Sequence, residues 1–458
     1  MKKTLVFLVA LILCASAVVR AADNPAAFAS PDFREVVNAS KKEVFPSVIF
    51  IKCVSESFES GDRQALQTAG SGVIISENGE ALTNWHVIEK ALEVRCLLQD
   101  GRVKKAEILG SDKDLDIALL KLDMDEGEKL ENVARLGDSS KLEEGDFVMA
   151  MGAPWGLARS VSIGIISCTE RYLPEGSEYS SWLQTDASIS PGNSGGPLVN
   201  TNGEVIGINS RGAIIGGDLG FAIPIEVIRS VLPWLRETGK VDWSWTGLQL
   251  QPLKDFNRNI YFEADEGVLV AGVDRKSPAD ESGFQAGDRI VKIGGEPVTA
   301  MTDEDLPRVR RRLGMLERGK SVEMEFVRDE KSMKVMKVML TPREKGEVEG
   351  DLLELKRWDF TAKAINKFED PDLYFQRSEG VFIYSVKYPG NARNAGLNER
   401  DIIVSIDGDP IETLEQLEKA HEKALENIEK KPRLLFTIER NGMIRQVVLN
   451  FMRDFAKE

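Results

Sequence analysis

Histidine is nearly missing: His86 and His421 are the only two in 458 residues. Four cysteines are present and none forms a C-x-x-C pair. A structural zinc site needs several such ligands at close spacing, so neither structural zinc nor a cofactor is expected. Positive charge is in deficit. The 59 Lys and Arg face 74 Asp and Glu, leaving a net charge of −15 and a pI near 5.0, which argues against a nucleic-acid partner. After residue 22 no apolar run is long enough to span a membrane. The hydrophobic fraction of 42% and charged fraction of 29% are those of an ordinary globular chain, and the length asks for about three domains.

The apolar run near the start has the form of a secretory signal over residues 1–22. Lys2 and Lys3 precede Leu5–Leu13, and Val19-Arg20-Ala21 offers a cleavage site, with Ala15-Ser16-Ala17 as the alternative. Cys14 raises a lipoprotein reading, against which Leu13 is bulkier than such sites take. An exported chain would keep Cys53, Cys96 and Cys168. Cys53 and Cys96 lie in strand-like apolar runs and read as small buried hydrophobes; one bridge with one thiol left over stays open. Residues 23–44 form a leader, with a short helix over Asp32–Val44 as its one structural candidate.

Three segments carry chemistry. In Pro191-Gly192-Asn193-Ser194-Gly195-Gly196-Pro197, glycines let the backbone turn sharply around Ser194. Successive N–H groups in such a turn can receive negative charge. A serine nucleophile needs a base with a pKa near neutrality. His86, in Thr83-Asn84-Trp85-His86-Val87, is one candidate. His421 is the other, but its charged helical surroundings read as solvated surface. A carboxylate held before a buried strand can fix an imidazole's tautomer. Asp112, Asp114 and Asp116 compete for that role. Asp116 abuts Ile117-Ala118-Leu119-Leu120 and is the best placed, Asp114 is the runner-up, and Asp112 reads as a loop charge.

The order His86, Asp116, Ser194 matches the chymotrypsin-type order. With Met151-Gly152-Ala153-Pro154-Trp155-Gly156 and Gly220-Phe221-Ala222-Ile223-Pro224, these motifs resemble the HtrA/Deg family of serine proteases over nearly the whole mature chain. Short apolar runs punctuated by Gly and Asn-Gly from Pro46 to Pro224 read as an antiparallel all-β unit with many hairpins. The second half repeats itself: Ser282-Gly283-Phe284 through Asp288-Arg289-Ile290-Val291 recurs as Ala395-Gly396-Leu397 through Asp401-Ile402-Ile403-Val404. Both copies look like PDZ domains. The expected fold is mainly β, a chymotrypsin-like double β-barrel over 45–240 followed by two α+β PDZ domains over 245–342 and 352–456.

The resemblance implies a serine endopeptidase acting on unfolded or damaged proteins in the periplasm or outside the cell. His86 is the implied base, Asp116 its orienting carboxylate, Ser194 the nucleophile, and the N–H groups of Gly192, Asn193 and Ser194 the oxyanion donors. Ile189 and Asn209 would border the side-chain pocket, and Arg171 would sit in a loop that senses activation. Trp245-Thr246-Gly247-Leu248 would receive peptide C-termini. At the same offset the second copy has Trp358-Asp359-Phe360-Thr361, where Phe360 replaces the glycine, which points to packing or assembly instead. The family also implies homo-oligomers built on trimers. A rival reading is a holding chaperone or scaffold with a latent protease domain.

Overall fold

The computed structural model describes residues 32–455 except 59, 62–63, 155–158, 174–175, 213–218, 256–258, 330–334 and 346–349. The signal-like segment, the first part of the leader, Trp155-Gly156, Gly216-Gly217 and most of the charged junction after Lys345 lie outside the described residues. Among the described residues no helix is long and apolar enough to cross a membrane.

A helix over Phe33–Val44 opens the described chain, capped by the Asp32 side chain on the Arg34 N–H. Six strands then close into a barrel in the order Val48–Ser57, Gln64–Ile74, Glu80–Thr83, Ile117–Leu122, Val103–Asp112, Ala91–Leu97, the last pairing back onto the first. Alternation sends Ile49, Ile51 and Cys53 inward with Cys96, Leu120 and Ile74. Cys53 and Cys96 are free and buried, and burial pushes their thiols up to about 11 and about 12. At those values they are inert small hydrophobes.

A second barrel closes through Phe147–Gly152, Ser160–Arg171, Trp182–Thr185, Gly220–Pro224, Glu204–Gly212 and Pro197–Asn200. The helix Ile225–Glu237 seals the two barrels: Ile225, Ile228, Val231, Leu232 and Leu235 share a core with Leu82, Leu115, Ile117 and Ile208. It ends two residues before Gly239, whose φ of 76° gives a left-handed turn.

Each repeat folds as its own module, with its own apolar core. The repeated aspartate explains the repeated sequence. Asp288 is buried, accepts the Gln285 N–H at 2.8 Å and is clamped by Arg328 at 2.7 Å; Asp401 does the same with the Asn398 N–H at 2.8 Å and Arg440 at 2.6 Å. Two sequence readings are corrected in the second module. His421 is not a surface residue. It sits on the inner face of the helix Leu414–Glu426, edge-on to the buried Trp358 ring at 4.8 Å, and burial pushes its pKa down to about 4. The residue in Gly247's place is Asp359, not Phe360. Gly247 and Asp359 have φ of 75° and 59°, and their carbonyls accept the Asp274 and Lys387 N–H groups, each at 2.9 Å. The second copy is therefore one residue longer between this turn and the N–H group that it accepts. Phe360 instead opens a strand and is fully buried beside Trp358 and Phe436.

Candidate active site

His86 sits on a single helical turn, Trp85–Ile88, that follows the strand Glu80–Thr83. Asp116 closes a tight turn with φ of 54°, its N–H on the Lys113 carbonyl at 3.1 Å. The fully buried neighbours Leu115 and Ile117 hold this left-handed residue in place. Its carboxylate thereby meets His86 three ways: the backbone N–H at 3.1 Å, and Nδ1 at 2.9 and 3.0 Å from the two oxygens. Asp116 is 6% exposed and His86 42%, so the carboxylate is shielded while the imidazole reaches the surface.

Ser194 belongs to the other barrel, in the turn before Pro197–Asn200. Gly195 has φ of 84°, and a Cβ there would lie 2.1 Å from the Ser71 carbonyl oxygen, so only glycine lets the turn press against the first barrel. Ser71 stitches the two: its N–H donates to the Ser194 carbonyl at 2.8 Å, and its hydroxyl donates to the Gly192 carbonyl at 2.6 Å while accepting the Ala153 N–H at 2.8 Å. The Asn193 N–H is engaged by the Ser190 carbonyl at 2.9 Å. Among the described residues, the N–H groups of Gly192 and Ser194 have no acceptor. The turn thus presents two free donors beside Ser194, and Asn193 is not one of them. The Ser194 hydroxyl donates to the Ser210 carbonyl at 2.9 Å, and no hydrogen bond joins it to His86 among the described residues.

The other expected site residues separate into two groups. Ile189 flanks the cleft: the Cβ positions of Gly212 and Gly220 would lie 2.7 Å from its carbonyl oxygen and 2.8 Å from its Cδ1. Asn209 does not face the cleft. It is fully buried, and its amide donates to the Met151 and Pro197 carbonyls at 3.2 and 3.1 Å, bracing the turn from behind. Arg171 spans two domains, donating to Gln184 at 2.8 Å and pairing with Glu304 of the first repeat at 3.5 Å.

Three residues of this site escaped the sequence reading. Besides Ser71, Asn84 donates its side-chain amide to the Asp116 carbonyl at 3.0 Å, tying the two loops together. Ser210 donates its hydroxyl to the Asp116 carboxylate. Asn84 had a local signal, standing directly before the helical turn of His86; Ser210 had none.

In the first module the strand Leu248–Gln251 is the edge of its sheet, with an open outer side among the described residues. A Cβ on Gly247 would meet the Ser277 Cβ at 2.1 Å, so the loop Trp245-Thr246-Gly247-Leu248 needs its glycine. In the second module the corresponding edge of Phe360–Ala364 is filled by Leu352–Leu355 of the same chain, from Leu352 opposite Lys363 to Leu355 opposite Phe360.

Two barrels meeting at a serine, a histidine and a buried aspartate, followed by two repeated α+β modules, define a trypsin-like serine endopeptidase with PDZ domains. Residues 70–208 match the trypsin-like peptidase domain, and 246–337 and 362–450 each match the PDZ domain. A DegP-like periplasmic serine endoprotease of Halomonas elongata is 37% identical over 367 residues, 78% of this chain and 74% of that one. Its counterpart in Hahella chejuensis is 36% identical over 79% and 76%. Among solved structures, the HtrA-type protease AlgW with a tripeptide superposes with a TM-score of 0.58 at 30% identity, over 68% of this chain and 98% of that one. The serine endoprotease from Yersinia pestis does so with a TM-score of 0.52 at 31% identity, over the same shares. The chain belongs to the HtrA/Deg family of serine endoproteases.

Proposed function

We propose that the enzyme cleaves unfolded or damaged polypeptides in the periplasm through an acyl-enzyme on Ser194. In this reading Ser194 attacks the scissile carbonyl, His86 Nε2 takes its proton and returns it to the leaving amine, and Asp116 holds the imidazole with Nδ1 protonated. The free N–H groups of Gly192 and Ser194 stabilise the tetrahedral oxyanion. Water then releases the acyl group by the same steps. The observation that carries the reading is the buried Asp116 carboxylate bonded to both His86 Nδ1 and the His86 backbone. That pairing fixes the tautomer and leaves Nε2 on the exposed side.

The Ser194 hydroxyl rests on the Ser210 carbonyl, so attack begins with a rotation about its Cα–Cβ bond toward His86. This supports a resting state that substrate or peptide converts to an active one. The first PDZ domain would bind peptide C-termini on its open edge strand, and the oligomer would be built on trimers. The mature protein should degrade casein, and Ser194→Ala should lose at least about a thousandfold in rate. Equal suppression of aggregation by both forms, with cleavage by neither, would favour the holding chaperone.

A further inference from the structure

The carboxylate loop of the first PDZ domain does not face open solvent alone. It lines a cavity of about 330 Å3 whose far wall is built by Lys367 and Phe368 of the second module. The Lys367 ammonium lies 4.2 Å from the Trp245 ring centroid, at the head of the loop, where it gains from the ring's negative face. Asp274 of the first module holds it there at 2.6 Å, and the other Asp274 oxygen is occupied by the Gln249 amide at 2.9 Å. One ammonium carries three donors, so the pairing with Asp274 leaves two. Apolar lining comes from Leu248 and Leu313. The edge strand that begins at Leu248 opens onto this space, whereas the second module's own edge is closed by Leu352–Leu355.

We propose that this cavity is a composite site for a peptide C-terminus, in which the second module acts not as a receptor of its own but as the donor of Lys367 to the α-carboxylate. The proposal rests on the reading of the first module as a C-terminal-peptide receptor. The peptide adds to Leu248–Gln251 as an extra strand and its last side chain enters between Leu248 and Leu313. The carboxylate is received by the loop N–H groups and by the Lys367 ammonium. Charge complementarity selects the occupant: an anion at the chain end is favoured beside Lys367, and an uncharged amide end is not. The site is complete only when both modules are docked as they are here.

The test uses the full mature chain carrying Ser194→Ala, with a fluorescein-labelled decapeptide ending in Ala-Ala-Val as the free acid and as the amide, read by fluorescence anisotropy. The free acid should bind about tenfold more tightly than the amide. Lys367→Gln should weaken the acid about tenfold and bring the two peptides to near-equal affinity, and Lys367→Arg should restore the preference. An unchanged acid-to-amide ratio in Lys367→Gln, with peptide still bound, would overturn the role of the lysine alone. Tighter binding by Lys367→Gln would overturn it in favour of a lid. No binding of either peptide by the Ser194→Ala protein would overturn the receptor reading itself.

Discussion

Replacing Lys345 by Met should loosen the joint between the protease and its PDZ domains, and the structure sets the scale. The Lys345 side chain is 6% exposed, and its ammonium bridges Asp114 at 2.8 Å and Glu178 at 3.0 Å. It also lies 4.6 Å from the Tyr179 ring centroid, and that ring stacks on Trp243 at 3.9 Å. Burial alone would lower the ammonium's pKa, but the two carboxylates outweigh it and hold it above its ordinary value. Breaking a buried pair by removing one partner typically costs about 3–5 kcal/mol, because the remaining charge is stranded. Here Glu178 is 54% exposed and regains water, while Asp114, 18% exposed, regains little. A loss of about 1–3 kcal/mol is the scaled expectation. It should appear as a lower midpoint of the first urea transition followed by tryptophan fluorescence. Adding Asp114→Asn removes the stranded carboxylate and should recover most of the loss, a non-additivity expected of groups in contact. Strictly additive effects of the two substitutions, or no loss in Lys345→Met, would refute the reasoning.

Other outcomes follow from the same geometry. His421 is neutral when folded, with a pKa of about 4, and near 6.5 when unfolded, so its contribution is intact above pH 6.5 and is lost as pH falls toward 4. His421→Leu should therefore lose less urea resistance than wild type between pH 7.5 and 5.0; equal losses would contradict this. Asp112 has the opposite sign. Burial, aided by the nearby Asp114 charge, pushes it up to about 7, so the folded state holds a proton that the unfolded state releases near pH 4. Stability relative to Asp112→Asn should fall as pH rises from 4 to 7 and then level off, as read from urea midpoints at pH 5 and 8. Ser210→Ala removes a donor to the Asp116 carboxylate and should lower kcat about tenfold with KM nearly unchanged.

What could be read from the chain was local. The candidates His86, Asp116 and Ser194 each stand out within a few neighbours, with Asp114 competing for the place of Asp116, and the order of the three matches the chymotrypsin type. The strands are legible as short apolar runs: Phe147-Val148-Met149-Ala150-Met151 makes up nearly all of the strand Phe147–Gly152. What escaped depends on partners far along the chain. Asp112 reads as a loop charge until Trp243 arrives to donate its indole N–H at 2.7 Å. Ser210 matters only because the second barrel's strand ends against the first barrel's Asp116. The His421 error was avoidable. Leu417, His421 and Ala424 recur at helical spacing and form the buried stripe of a helix whose other faces are charged. The Gly247–Asp359 equivalence was hidden because the recognisable part of the repeat, from Gly283 to Pro297, runs at an offset one residue larger than the carboxylate loop does. Asn209 shows the limit of placing a pocket by resemblance: it is fully buried behind the turn, and its amide is spent on two backbone carbonyls.

The proposed cleavage requires Ser194 to be a nucleophile that His86 can activate. The most direct test is labelling of the purified mature protein with a fluorophosphonate probe, with and without an unfolded protein, and location of the adduct by mass spectrometry. One adduct is expected, on Ser194, formed faster when unfolded protein is present and abolished by His86→Ala and by Ser194→Ala. Absence of labelling in every condition, or an adduct that persists in Ser194→Ala, would contradict it.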